Sequence, residues 1–143
     1  MPARETRPNG TGVALVKIAA LYMMAGLAMG MWMAVTHNHT LSSVHSHVAL
    51  LGWATMAIAG LVYITVPACA SSRLADVHFW LHNIGLPIMS VSLATLALTS
   101  DQRVEPFIGL GATLVVLSLA VFTVNVLRNG RTSKVQAPAA MRS

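Results

Sequence analysis

The sequence predicts an all-α integral membrane protein, with four transmembrane helices in an up-down bundle. Three observations lead there. Of 143 residues, 55% are hydrophobic and only 9% are charged, whereas a soluble domain carries roughly 25% charged residues. Four apolar runs each approach or exceed the about 20 residues that a helix needs to cross a bilayer. The connections between them are short, which sets neighbouring helices antiparallel.

Residues 1–12 are polar and rich in Arg, Pro and Gly, and form an N-terminal tail. The first run, Val13 to Val35, has Lys17 as its only charge, near its start, where the side chain can snorkel to the headgroups. Its apolar core is far longer than the 7–15 residues of a signal peptide, so a retained helix over 13–35 is expected. The second run ends at Pro67 and places a helix over 44–67. The third, Val77 to Thr99, places one over 76–99, and the fourth, Phe107 to Leu127, one over 106–127. Backbone inside lipid must satisfy its own hydrogen bonds, so each run is read as helix. The transmembrane domain is thus 13–127, and residues 128–143 form a second polar tail.

Charge sets the orientation. Arg4, Arg7 and Lys17 flank the start, Arg73 lies in the second connection, and Arg128, Arg131, Lys134 and Arg142 follow the last helix. The first connection has no basic residue. The positive-inside rule puts both termini and the second connection in the cytoplasm, and the first connection on the periplasmic side of a bacterial inner membrane. The net charge of +5 sits at membrane ends with no recognition motif, so no nucleic-acid partner is expected.

That first connection holds the main chemical signal. In "THNHTLSSVHSH", Thr36 to His47, stand His37, His39, His45 and His47, four of the six histidines. Neutral imidazole is the commonest metal ligand, and an ionisable residue in a membrane is a functional candidate by default. The metal candidates are His39, His45 and His47, with His37 the most doubtful because it sits in a wet loop. Residues two apart on a helix point about 200° apart, whereas in an extended segment they share a face. If the helix already runs through Val44, His45 and His47 cannot hold one ion. If the segment is extended, both can join His39.

His78 and His82 form a second group at i, i+4, on one helix face, and are candidates for a shared prosthetic group. Counting from Val77 places His82 about 8 Å in from the cytoplasmic side, while His47 lies roughly 30 Å from Pro67 at 1.5 Å per residue. The two groups are therefore expected near opposite faces. Pro87 frees the carbonyl of Asn83, which offers His82 a local polar partner.

Other residues carry less. Cys69 is the single cysteine, which excludes an intrachain disulfide and a thiolate cluster. Five of the nine methionines crowd the first helix; thioethers suit copper, but lipid-facing or gap-filling Met is the simpler reading. Gly26 and Gly30 make a GxxxG step that favours close helix packing, and a homo-oligomer is expected because four helices have little interior.

The run "HTLSSVHSHVALLGWATMAIAGLVYITVP" with "LADVHFWLHNIGLP" resembles subunit I of the haem–copper oxidase superfamily. It is most similar to the cbb-type and nitric oxide reductase branches and to short stand-alone relatives. His47, Trp53, Tyr63 and Pro67 follow the order of that family's second helix, and Phe79, Trp80 and Gly85 that of its third. The resemblance covers about residues 26 to 90 and implies haem b, with His47 as first ligand and His45, His78 and His82 as further cofactor-binding candidates. The later helices of that family, which bear its catalytic centre, have no counterpart here, so a complete oxidase is not expected.

The leading expectation is a haem b- or metal-binding membrane protein for electron transfer or NO/O2 sensing, working with a redox partner or an oxidase subunit. The alternatives are a haem-free copper or zinc protein for metal handling or oxidase assembly, and a structural small subunit packed through Gly26 and Gly30. The chain offers no carboxylate in the bundle, no triad and no phosphate loop, so redox chemistry would depend on a bound cofactor.

Overall fold

A computed structural model describes residues 10–130. It is all-helical, and four helices are long and apolar enough to cross a membrane. They are α1 (Gly10–Thr36), α2 (Ser42–Thr65), α3 (Arg73–Thr99) and α4 (Glu105–Asn129). A short helical turn, Pro67–Ala70, joins α2 to α3, and a single 3-10 turn, Gln102–Val104, precedes α4.

Local chemistry sets the ends. His37 closes α1 in the left-handed region at φ 53°, a conformation available to few side chains. Ser72 caps α3 by accepting from the Leu74 amide at 3.2 Å. Ser100, at φ 57°, ends α3, with its amide on the Leu96 carbonyl at 2.9 Å. Pro106 sits in the first turn of α4, where its missing N–H costs nothing.

The helices pair as two hairpins. In α1 and α2 the backbones touch at Gly12 and Gly60: a Cβ at Gly12 would lie 2.8 Å from the Gly60 carbonyl oxygen, and one at Gly60 would lie 2.8 Å from that of Gly12. In α3 and α4 the same device uses Gly85 and Gly111, where a Cβ on Gly111 would come 2.5 Å from the Met89 amide nitrogen. Gly26 and Gly30, expected to favour packing, face Val48, Ala49 and His45 of the same chain. Leu15 and Ala19 of α1, Met56 and Tyr63 of α2, Leu86 and Met89 of α3, and Val115 of α4 form the core where the hairpins meet.

Only 17% to 33% of each span's most apolar window is buried within the chain. Leu21, Leu50, Val91 and Val116 are among the large apolar side chains left facing outward, as lipid or further protein would require.

One stretch departs from α geometry. Within α2, Val48–Thr55 is a π-helix, a wide turn that proteins use mostly near functional positions. The Leu51 carbonyl lies in it and, besides its helical role, accepts from a side chain of α3.

Candidate functional site

Two places gather polar side chains. The first lies where α1 ends and α2 begins. His37 and His39 are exposed in the turn, and the His39 carbonyl accepts from the Ser42 amide at 3.0 Å. Because α2 starts at Ser42, the segment before Val48 is helical and not extended. His45 and His47 therefore point to different faces. Among the described residues no three His, Cys, Asp or Glu side chains converge as a metal-binding group. His39, His45 and His47 are not brought together.

Both His45 and His47 are half-buried, and each ring is anchored through Nδ1. His45 Nδ1 lies 3.0 Å from the Gly26 carbonyl of α1, and His47 Nδ1 lies 2.7 Å from the Ser43 carbonyl one turn back. A carbonyl can only accept, so in each neutral ring Nδ1 carries the proton and Nε2 keeps a free lone pair. Nε2 is then the nitrogen through which either ring could ligate a metal.

Their surroundings differ. His45 lines a cleft of ≈ 230 Å³ between α1 and α2, with Met23, Gly26, Leu27, Ala49 and Trp53. Gly30 leaves room for the ring, since a Cβ there would stand 3.1 Å from His45 Cε1. His47 is not among the residues lining that cleft. The family resemblance ranks His47 first; the cleft belongs to His45.

The second place is the interior between α2, α3 and α4. His78, His82, Ser118 and Asn125 have no exposed surface, and neither do Tyr63 and Cys69. The Asn125 amide donates to the Cys69 carbonyl at 3.0 Å and to Tyr63 Oη at 3.5 Å. Asn129 donates to Asn125 Oδ1 at 2.8 Å, which fixes the orientation of the amide. The Tyr63 hydroxyl and His78 Nδ1 share a hydrogen bond at 3.1 Å. His78 Nε2 is buried and has no hydrogen-bond partner. Its ring is edge-on to Tyr63 at 5.7 Å and tilted against Phe122 at 5.1 Å.

His82 uses both nitrogens. Nδ1 meets Ser118 Oγ at 2.9 Å and Nε2 meets the Leu51 carbonyl at 3.1 Å. These partners come from α4 and α2, not from the carbonyl freed by Pro87; the Asn83 side chain instead caps the Phe79 carbonyl at 2.8 Å. The expected depth of His82 is corrected as well. Its helix begins at Arg73, nine residues earlier, which places His82 about 14 Å along α3. It sits level with Leu51, one turn from His47 along α2, so the two histidine groups are not at opposite faces.

Tyr63, Ser118 and Asn125 complete this interior, and sequence reasoning gave the last two no role. The signal was present: Asn125 and Ser118 stand with two threonines in a mostly apolar run, and a polar side chain in an apolar helix requires a partner. Cys69 proves fully buried, and burial pushes its thiol above the ordinary range.

No family model, curated protein or solved structure matches the chain.

Proposed function

We propose that this chain is an integral membrane protein of a bacterial inner membrane, crossing four times in an up-down bundle, that binds haem b or a transition metal through His45. The observation that supports this most is the His45 ring. Nδ1 is held on the Gly26 carbonyl at 3.0 Å, and Gly30 clears the space beside the ring. The cleft it lines is otherwise apolar.

The residues lining the cleft have the chemistry to hold a haem, an imidazole among apolar side chains. His45 Nε2 would supply the ligand atom, Met23, Leu27 and Trp53 would pack on the macrocycle, and the Gly26 carbonyl would hold the imidazole in its tautomer. A bound haem would supply a one-electron couple suited to electron transfer or gas sensing. The chain's own part is to orient the imidazole and to shield it with apolar side chains. On the charge pattern, the His45 end of the bundle faces the periplasm. The free Nε2 of His47 is a further donor on another face.

Detergent-purified protein tests the proposal. A Soret band that is lost in His45→Ala and retained in His47→Ala supports it. Colourless protein with stoichiometric copper or zinc by elemental analysis replaces haem with a metal ion. Colourless, metal-free protein from cells replete in both defeats the reading.

A further inference from the structure

The interior histidines raise a question that cofactor binding at His45 does not touch. His82 is fully buried, yet its two ring nitrogens each face an oxygen that can accept a hydrogen bond. A neutral imidazole has one N–H and one lone pair. The Leu51 carbonyl can only accept, so in the neutral ring Nε2 carries the hydrogen and Nδ1 accepts from the Ser118 hydroxyl. Ser118 Oγ, however, lies 2.7 Å from the Val115 carbonyl as well. Its hydrogen therefore has two destinations, and the second leaves the Ser118 oxygen facing His82 Nδ1 as an acceptor.

We propose that His82 is a proton-binding site in the middle of the bundle, with the Ser118 hydroxyl as its rotating partner. When Nδ1 takes up a proton, a new N–H bond forms and the ring gains one positive charge. The Ser118 O–H turns from Nδ1 to the Val115 carbonyl, and no other group has to move. Both N–H groups of the imidazolium are then satisfied, by Leu51 and by Ser118. An imidazolium buried without such acceptors would be strongly disfavoured.

The neighbouring groups suit this role. On α3 itself, His78 faces the site with ring centroids 5.7 Å apart, and its buried Nε2 has no hydrogen-bond partner. From α2 the facing groups are the Leu51 carbonyl and, beyond His78, the Tyr63 hydroxyl. From α4 they are Ser118 and, against His78, the apolar ring of Phe122. Asp76 and Arg73, near the start of α3, and Lys17 on α1 are exposed, so none offers a buried counter-charge. The line Asn129, Asn125, Tyr63 and His78 leads from the end of α4 toward His82.

The experiment is nitrogen NMR of the full chain, labelled with 15N-histidine and reconstituted in lipid bilayers, from pH ~8 to ~4 across the range of imidazole chemistry. His82→Asn assigns the signal. The expected result is conversion of the His82 ring to a form with both nitrogens protonated. Ser118→Ala should lower the imidazolium-to-imidazole ratio about tenfold or more at a fixed pH, the worth of a hydrogen bond to a charged group, and Ser118→Thr should restore it. A His82 ring that stays neutral throughout in the wild-type chain overturns the proposal, whatever the variants do. So does a ratio unchanged in Ser118→Ala.

Discussion

Replacing Gly30 with alanine tests the role of His45 without touching the ring itself. The new methyl would lie 3.1 Å from Cε1, 3.6 Å from Nδ1 and 3.8 Å from Nε2 of His45. The first distance is a few tenths of an ångström too short, so the ring must tilt or leave the Gly26 carbonyl. Losing that hydrogen bond costs about 1 kcal/mol, roughly fivefold in affinity, and disturbing the group that orients a ligating histidine costs about 10- to 100-fold. Haem binding should therefore weaken about 5- to 100-fold in Gly30→Ala, measured by absorption titration of apoprotein in detergent. The helix itself should not suffer, because alanine is favoured over glycine in a helix interior by about 1 kcal/mol. Gly109→Ala is the control: it adds the same methyl to a helix away from the cleft, with nothing within 4 Å. Equal affinity in Gly30→Ala and wild type, or equal loss in Gly109→Ala, would refute the reasoning.

Further outcomes follow from the packing. Gly111→Ala drives a methyl to 2.5 Å from the Met89 backbone and should destabilise the α3–α4 contact by about 1–3 kcal/mol in denaturant titrations in mixed micelles. Gly109→Ala, with nothing within 4 Å, should be neutral or stabilising in the same titration. Asn125→Ala strips partners from the Cys69 carbonyl and Tyr63 and should cost about 1–2 kcal/mol, while Asn129→Ala, at the half-buried end of the line, costs less. Cys69 should resist maleimide in the folded chain and react on unfolding. Its thiol is pushed up by burial, so as pH rises the unfolded chain ionises first, and the stability present below the ordinary thiol value is lost on the alkaline side.

The four long helices could be read directly from the apolar runs, because outward-facing apolar residues dominate each one. Their ends could not. Apolarity begins at Val77, but the helix begins at Arg73, since Ser72 caps it and the exposed first turn needs no apolar residue. That difference moved His82 from a position near one face to the middle of the bundle. The GLAMG step is not where backbones approach most closely, which is at Gly12 and Gly60, and sequence cannot say that Gly30 clears space for the His45 ring. The choice between His45 and His47 rested on whether the segment before Val48 is helical, and only the backbone shows that it is. The π stretch that aligns the Leu51 carbonyl with His82 leaves no compositional trace. Asn125 and Ser118 were legible as polar residues in an apolar run, but their partners lie on other helices.

The central claim is that His45 Nε2 is the ligand atom. Nitrogen NMR of 15N-histidine-labelled protein, with and without ferric haem, addresses it most directly. The His45 resonance is expected to be the most strongly shifted and broadened by the paramagnetic iron, more than His47, His78 or His82. Paramagnetic broadening centred on His47, His78 or His82, with His45 unmoved, would contradict it.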